Sequence, residues 1–200
     1  METTPALDKP AMRKLCLERR NALSPEFRKT ASMQICDHVF DFLSDLTPFQ
    51  DVEISAYLPI RSEVDLSGLI PRLEDAGACV SLPVVLNRTD IVFRRFRSGD
   101  VLQDAGFGTT GPAADADIVD PAILLMPLAG FDQYGARIGY GAGHYDRAIA
   151  RLLQMGQTPI TYGVGFAVQA VPQVPAEQHD VPLVAIFTEA GIIIPTELNL

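Results

Sequence analysis

The chain has 200 residues and a mass of 21.7 kDa, so we expect one domain over residues 1–200 rather than a tandem array. Sixteen basic against 25 acidic residues give a net charge of −9, which argues against nucleic acid and anionic membranes as general partners. With 48% hydrophobic and 20% charged residues, the composition is typical of a folded globular protein.

The N-terminus lacks the apolar segment of a secretory signal, and no run approaches the roughly 18 apolar residues that a membrane span needs. The three cysteines, Cys16, Cys36 and Cys79, are odd in number and widely spaced. Neither a disulfide framework nor a zinc site is therefore indicated. We expect reduced thiols and a cytoplasmic protein.

Two helices are predicted at the start of the chain. Asp8 can cap the first, with Pro10 in its opening turn, and Ser24 followed by Pro25 can begin the second. Apolar residues then recur at steps of three or four between residues 27 and 42, a spacing typical of a helix that faces the core.

An alternation of strands and helices follows. Strands are predicted at residues 54–58, 79–85, 91–96, 122–126, 160–164 and 183–187, and helices over 145–154 and from a cap at Asp65 to near Gly77. This pattern predicts an α/β domain with three layers and a mainly parallel sheet. Ligands of such sheets bind beyond the carboxyl ends of the strands, so the loop after Met126 is the expected site.

Residues 127–147, PLAGFDQYGARIGYGAGHYDR, place alternating glycines directly before the last predicted helix. Such a loop lets backbone N–H groups approach a phosphate, and the helix N-terminus adds a partial positive charge. Arg137 precedes the glycines as a charged donor, and Asp146 follows them as a candidate magnesium ligand. The spacing alone fits a simple glycine turn equally well, and it matches neither a P-loop nor a Rossmann fingerprint.

The same segment resembles the signature of the 5-formyltetrahydrofolate cyclo-ligase family, also called methenyltetrahydrofolate synthetases. A Pro, a Phe-Asp pair, a Gly, an Arg and a glycine-rich turn ending in Tyr-Asp occur in the family's order. The first helix with Lys9, Arg13 and Arg20, the segment AYLPIRSEVD and the segment VPAEQHDVPL also resemble the family. The resemblance covers nearly the whole chain and implies a three-layer αβα fold of the NagB/RpiA/CoA-transferase-like type.

The resemblance implies an enzyme that uses ATP and Mg²⁺ to convert 5-formyltetrahydrofolate to 5,10-methenyltetrahydrofolate, releasing ADP and phosphate. The formyl oxygen would be phosphorylated, and N10 would then close the ring. Catalytic roles are implied for Arg137 and Tyr145, and magnesium ligation for Asp146 and Asp180. Leu58 and Glu63 would contact the folate. The implied ATP-binding residues are Lys9, Arg13, Arg137, Gly139, Tyr140, Gly141, Ala142, Gly143, His144 and Tyr145. We expect a monomer.

The chain departs from the family pattern at several positions. Tyr140 and Ala142 stand where many members carry a basic residue in the glycine turn, and Val184 stands where an acid is often found. His144 either donates to a phosphate or is exposed in the loop. Two alternatives to an active cyclo-ligase therefore stay open. One is a paralogue that binds nucleotide or folate without turnover, and the other is a different transferase or isomerase on a similar sheet.

Other features allow two interpretations each. The basic cluster at residues 94–97 either receives the glutamate tail of folate or keeps a strand edge solvated. Tyr57 and Phe131 either stack on a pterin or pack in the core. Asp132 is typical of a turn, and His38 of a partly exposed helix position. Because both implied substrates are anions, we expect the cations to converge on one cleft.

Overall fold

A computed structural model describes residues 8–105, 109–175 and 181–196. Its helices are α1 (Lys9–Asn21), α2 (Pro25–Leu46), α3 (Ile70–Asp75) and α4 (His144–Gln154), with a 3₁₀ turn at Ala167–Gln169. Its strands are β1 (Glu53–Ser55), β2 (Cys79–Val85), β3 (Ile91–Arg95), β4 (Gln103–Asp104), β5 (Thr110–Gly111), β6 (Ile118–Val119), β7 (Ile123–Pro127), β8 (Gly130–Phe131), β9 (Arg137–Ile138), β10 (Ile160–Val164), β11 (Ala185–Thr188) and β12 (Gly191–Ile193).

Eight strands form one sheet in the order β12-β11-β10-β7-β1-β2-β3-β6. The five strands from β11 to β2 run parallel to one another, whereas β12, β3 and β6 pair antiparallel at the two sides. The prediction of a mainly parallel sheet is therefore confirmed. The remaining strands form two short antiparallel pairs, β4–β5 and β8–β9.

The sheet separates two apolar clusters, because successive side chains of a strand point to opposite faces. In β7, Ile123 and Leu125 belong to the cluster that contains residues of α2 and α3, while Leu124 and Met126 belong to the cluster that contains residues of α4. The apolar run of this strand is thus buried on both faces. Helices cover both sides of the sheet, and the predicted three-layer arrangement is confirmed.

Both predicted helix starts near the N-terminus are confirmed. The Asp8 carboxylate and the Ser24 hydroxyl each accept a hydrogen bond from the backbone N–H three residues later, at 2.8 and 3.1 Å. The third predicted start is wrong. Asp65 accepts a hydrogen bond from the Ser67 N–H two residues on, which makes a local turn, and α3 begins only at Ile70 without a side-chain cap.

Two predicted strand boundaries are also wrong. The first strand ends at Ser55, and the apolar residues Tyr57 and Leu58 that follow line a cavity instead of continuing the sheet. The last predicted strand begins two residues late, at Ala185, because the N–H of Leu183 bonds to the carbonyl of Gly135. The edge strands β6 and β12 are too short to show a periodicity in sequence.

Helix α1 packs beside the sheet, against the β8–β9 pair and the 3₁₀ turn. A Cβ at Gly130 would lie 2.8 Å from the Sγ of Cys16, so glycine is required for this close approach. The packing brings the first turns of α1 to the carboxyl ends of β1 and β7. Within the three described stretches, no helix combines the length and apolarity needed to cross a membrane.

Candidate active site

A cavity of about 540 Å³ opens at the carboxyl ends of β1 and β7, the position expected for the ligand of a parallel sheet. Its wall combines α1, the loop after β1, the glycine loop at residues 139–143 and the first turn of α4. The wall includes every residue that the sequence assigns to ATP or folate: Lys9, Arg13, Leu58, Glu63, Arg137, Gly139, Tyr140, Gly141, Ala142, Gly143, His144 and Tyr145. Asp146 lines it as well.

The glycine loop has a left-handed backbone at two positions. Gly141 has a φ of +96°, and Gly143, the residue before α4, has a φ of +67°. No side chain makes a capping hydrogen bond at this helix start. The first N–H groups of α4 therefore lack a capping side chain, and they coincide with the positive end of the helix dipole. This arrangement is suited to an anion such as a phosphate.

Two cations of α1 stand beside this loop. The Nε of Arg13 donates to the carbonyl of Gly139 at 2.6 Å, and its guanidinium carbon lies 3.5 Å from the position that a Cβ at Gly141 would take. Lys9, one helical turn before Arg13, lines the same wall. The predicted convergence of Lys9 and Arg13 on one site is thus observed.

The third cation, Arg137, lies on β9, and its side chain is only 8% exposed. One guanidinium nitrogen forms an ion pair with the Asp146 carboxylate, and another donates to the carbonyl of Val181. Both contacts fix the direction of the planar guanidinium group. A fixed guanidinium in a cavity wall is suited to bind a carboxylate or phosphate through its remaining N–H groups.

The carboxylates at the cavity wall determine how a magnesium ion could bind there. Asp146 offers one carboxylate at the cavity wall, and one of its oxygens contacts Arg137. Asp180, the other predicted ligand, lies outside the described residues. In the described stretches, no group of three or more His, Cys, Asp or Glu side chains could hold a metal. Magnesium often keeps several waters and takes phosphate oxygens, so the residues fit an ion held mainly by nucleotide and water.

Glu63 is the buried acid of the cavity wall, with an exposed fraction of 7%. Its carboxylate accepts a hydrogen bond from the Ile60 N–H at 2.8 Å and lies within hydrogen-bonding reach of the Tyr140 hydroxyl. Burial raises the pKa of Glu63, and the hydrogen bonds and the nearby charge of Arg20 oppose this shift only in part. A buried carboxylate is suited to accept from N–H donors of a heterocycle.

Arg20 of α1 is connected to the Glu63 carboxylate through the Tyr140 hydroxyl. It is 3% exposed, its Nε donates to the Ser62 hydroxyl at 3.0 Å, and a terminal nitrogen donates to the Tyr140 hydroxyl. The Tyr140 hydroxyl can then donate to Glu63. Tyr140 therefore contributes its backbone to the glycine loop and its side chain to the support of Glu63.

Two hydroxyls of the cavity wall, those of Tyr57 and Tyr145, are buried and have no hydrogen-bond partner among the described residues. Burial, reinforced by the nearby Glu63 carboxylate, raises the pKa of both phenols well above the ordinary value. Both are therefore neutral O–H donors near pH 7. Since buried polar groups are normally paired, these hydroxyls mark positions for polar atoms of a ligand.

The glycine loop is fastened to the turn between β2 and β3. The Nε2 of His144 lies 3.1 Å from the carbonyl oxygen of Arg88 in that turn. Arg147 donates to the carbonyl of Thr89 at 2.7 Å and to the carbonyl of Ala142 at 2.5 Å. His144 thus lines the cavity while one nitrogen of its ring contacts a backbone carbonyl.

None of residues 94–97 lines the cavity, although Arg94 pairs across the β2–β3 hairpin with Leu82, which does. The Arg94 guanidinium donates to the carbonyl of Ala116. Arg95 forms an ion pair with Glu53. The structure therefore does not support this cluster as the receptor of a glutamate tail.

Three other sequence candidates have structural contacts. Phe131 is fully buried in a core cluster, so the interpretation as a core residue is confirmed. Asp132 is buried, and its carboxylate accepts from three backbone N–H groups at 2.7 to 3.0 Å, which organises the β8–β9 turn. His38 lies 2.9 Å from the carbonyl oxygen of Thr188.

Arg147 contacts the glycine loop, and the sequence does not identify it as functional. The sequence leaves Tyr57 open between stacking on a pterin and packing in the core, and the structure places it both in a core cluster and in the cavity wall. Arg20 is expected among the cations of the site, but its contact with Tyr140 is not predicted. Arg20 follows Cys16 by four residues, which places it on the buried face of α1. Nothing in the local sequence distinguishes Arg147 from a solvated helix residue.

Comparisons with known proteins agree over most of the chain. The model of the 5-formyltetrahydrofolate cyclo-ligase family matches residues 6–189. The 5-formyltetrahydrofolate cyclo-ligase of Escherichia coli K12 is 30% identical over 183 residues, which are 88% of this chain and 97% of the relative. That of Mus musculus is 26% identical over 187 residues, 86% and 89% of the two chains.

Solved structures of two 5,10-methenyltetrahydrofolate synthetases are also similar. The protein from Mycoplasma pneumoniae superposes with a TM-score of 0.73 and 26% identity, covering 92% of this chain and 99% of its own. The protein from Aquifex aeolicus gives a TM-score of 0.77 and 27% identity, with coverages of 96% and 95%. The α/β fold is therefore shared with these proteins.

Proposed function

The chain belongs to the 5-formyltetrahydrofolate cyclo-ligase family of ligases, and from this premise we propose the reaction that it catalyses. It converts 5-formyltetrahydrofolate to 5,10-methenyltetrahydrofolate, with ATP as co-substrate and Mg²⁺ as cofactor. The formyl oxygen takes the γ-phosphoryl group, so ADP is released. N10 then bonds to the formyl carbon and loses its proton, and phosphate leaves with the former formyl oxygen.

The observation that carries this proposal is the presence of two kinds of binding wall in one cavity. The glycine loop, the α4 N-terminus, Arg13 and Arg137 are suited to a polyphosphate. Glu63 and Leu58 offer a buried acceptor and an apolar side chain, which are suited to a heterocycle with N–H donors. A reaction between a nucleotide and a heterocycle requires both walls to be adjacent.

The phosphate end of the cavity supplies positive charge and fixed donors. Phosphoryl transfer depends mainly on positioning and on stabilising the negative charge that the transferred group carries. Lys9 and Arg13 approach from α1, and Arg137 approaches from β9, held by Asp146 and the Val181 carbonyl. Preorganised cations of this kind act without a reorganisation cost during the reaction.

We assign Tyr145 to the place where the phosphate end of the cavity meets the wall proposed for the heterocycle. Its phenol interacts electrostatically both with Glu63 and with Arg137, and its hydroxyl has no partner among the described residues. Because the pKa of Tyr145 is raised, the hydroxyl stays protonated and donates a hydrogen bond. We assign that donation to the reacting formyl or phosphoryl oxygen.

Asp146 would hold the magnesium ion, with Asp180 as the second candidate. When bound with the nucleotide, the ion neutralises charge on the phosphate oxygens. Arg137 would position the metal ligand, because its ion pair with Asp146 holds that carboxylate at the cavity wall.

A direct assay tests the proposal. Purified protein with ATP, Mg²⁺ and 5-formyltetrahydrofolate should develop the near-ultraviolet absorbance of the methenyl product, and ADP should appear in equal amount. Omission of any one component should abolish the signal. Absence of product with all three present contradicts the proposal. Tight binding of ADP or folate without turnover would instead identify a binding paralogue.

A further inference from the structure

Tyr57 carries a buried hydroxyl that the protein itself does not use. The residue is 3% exposed, and its oxygen has no hydrogen-bond partner among the described residues. An unpaired buried hydroxyl is unfavourable, because it has lost its bonds to water without gaining others. A phenylalanine would fill the same space without this unfavourable hydroxyl. The hydroxyl therefore indicates that Tyr57 has a role in ligand binding.

The position of Tyr57 indicates where its partner would come from. It lines the cavity next to Leu58, directly after the carboxyl end of β1. Its phenol is close enough to Glu63 and Tyr145 to interact with both electrostatically. The hydroxyl therefore belongs to the wall that the proposed function assigns to the heterocycle.

The hydrogen-bonding capacity of the neighbours leaves one role for this hydroxyl. The Glu63 carboxylate only accepts hydrogen bonds when ionised, so it can bind N–H groups but not a carbonyl oxygen. The Tyr140 hydroxyl is already engaged by Arg20 and is within reach of Glu63. Among the described residues, Tyr57 and Tyr145 are the two donors without a partner near this acceptor. Because the proposed function assigns Tyr145 to the reacting oxygen, Tyr57 is the donor that remains for the heterocycle.

A 2-amino-4-oxopteridine presents two N–H donors followed by a carbonyl acceptor along one edge. Resting on the proposed function, we propose that Tyr57 is a substrate-binding residue whose hydroxyl donates a hydrogen bond to the pteridine carbonyl, beside the N–H groups that Glu63 accepts. Together the two side chains match the donor–donor–acceptor edge. Tyr57 then favours 4-oxo over 4-amino pteridines, because a 4-amino group cannot accept the hydrogen bond that the Tyr57 hydroxyl donates to the carbonyl.

The test uses the variant Tyr57→Phe, with Tyr162→Phe as matched control. Tyr162 is a buried tyrosine of β10 that does not line the cavity. Removing an unpaired hydroxyl should leave the unfolding temperature of ligand-free Tyr57→Phe equal to or above that of the parent. A lower unfolding temperature would show that the hydroxyl has a structural partner and would overturn the proposal.

Calorimetric titration with 5-formyltetrahydrofolate and with its 4-amino-4-deoxy analogue gives the second readout. Tyr57→Phe should weaken binding of the 4-oxo ligand about tenfold, the loss expected for one neutral hydrogen bond. Binding of the 4-amino ligand should weaken less than binding of the 4-oxo ligand, and the control should bind both ligands like the parent. Unchanged affinity, or equal loss for both ligands, overturns the role of Tyr57. Failure of the parent protein to bind 5-formyltetrahydrofolate at all would instead overturn the proposed function.

Discussion

The buried Glu63 carboxylate lowers the stability of the folded protein at neutral pH, while it offers an acceptor to a ligand. A carboxyl whose pKa is raised in the folded protein retains its proton more readily there than in the unfolded chain. Its contribution to stability is therefore greatest below the ordinary value of 4.5 and is lost as the pH rises from there through the raised pKa. A buried carboxylate that lowers the stability of the fold at neutral pH is typical of a group that binds a ligand.

We expect Glu63→Gln to be more stable than the parent at pH 7, by a few degrees of unfolding temperature. The gain should disappear below about pH 4, where the parent carboxyl is protonated in both states. Folate affinity should fall by roughly 10- to 100-fold, because the amide offers one acceptor and a mismatched donor. Thermal melts across pH, together with folate titration, check this. A variant less stable than the parent at pH 7 would contradict it.

Tyr140 is expected to act as a positioning residue for Glu63. In Tyr140→Phe the KM for folate should rise about tenfold, while the KM for ATP should change little, because the loop backbone is retained. The pH dependence of folate binding should move upward, since the hydrogen bond from Tyr140 lowers the pKa of Glu63. Tyr134→Phe, in the β8–β9 turn, is the control. A loss of stability without a shift of the pH profile would indicate a merely structural role.

Arg137 should matter most for the chemical step. Arg137→Ala is expected to lower kcat on the order of 100-fold, as for the loss of a preorganised donor to a charged transition state. Arg137→Lys should recover only part of the rate, because it restores the charge but not the planar group that contacts both Asp146 and the Val181 carbonyl. Circular dichroism verifies that both variants fold. Unchanged steady-state kinetics in the alanine variant would remove Arg137 from the site.

The glycine loop is the element whose backbone is most specialised, and two of its glycines make a matched pair. A Cβ at Gly141 would combine a φ of +96° with the Arg13 guanidinium 3.5 Å away, whereas a Cβ at Gly139 meets nothing within 4 Å. We expect Gly141→Ala to cost about 1–2 kcal/mol of stability and to raise the KM for ATP severalfold. Gly139→Ala should be much milder in both respects. Equal effects of the two substitutions would contradict a conformational role.

At the scale of elements, local signals were sufficient where one residue type determines the outcome. The caps Asp8 and Ser24 and the apolar run before Pro127 predicted their elements correctly. The helix start predicted at Asp65 is wrong because an aspartate accepts the hydrogen bond of a local turn as readily as that of a helix cap. The loop after β1 was taken for strand because its apolar residues line a cavity instead of a sheet face.

The site shows which part of the structure local patterns cannot predict. The glycine loop and its flanking Arg137 and Asp146 are contiguous, and the sequence motif identified them together. Arg20 contacts Ser62 and Tyr140, which are 42 and 120 residues away. Contacts at such separations depend on how the elements pack, and no periodicity of a single segment encodes them.

At the scale of the whole molecule, a net charge of −9 contrasts with the two anionic substrates that we propose. Lys9, Arg13 and Arg137 line the cavity, and Arg20 lies just behind its wall. Residues 94–97 do not take part, so the predicted convergence of cations is narrower than expected. Overall charge describes solubility and steering, whereas binding depends on the few charges at the site.

We expect the protein to be a monomer in solution. The residues proposed to bind ATP and folate line one cavity within a single chain. Sedimentation at assay concentrations should give a mass near 21.7 kDa, unchanged by ATP or folate. A stable dimer that dissociates with loss of activity would contradict this prediction.

The double engagement of Tyr140 has a thermodynamic consequence for the order in which substrates bind. Its backbone belongs to the phosphate loop, while its hydroxyl bridges Arg20 and Glu63. We expect a nucleotide bound at this loop to fix the position of Tyr140 and thereby the support of Glu63, so that the affinities for nucleotide and folate would be linked. Linkage is reciprocal: the factor by which nucleotide tightens folate binding equals the factor by which folate tightens nucleotide binding. Either of the proposed substrates, if it binds first, would therefore favour binding of the other.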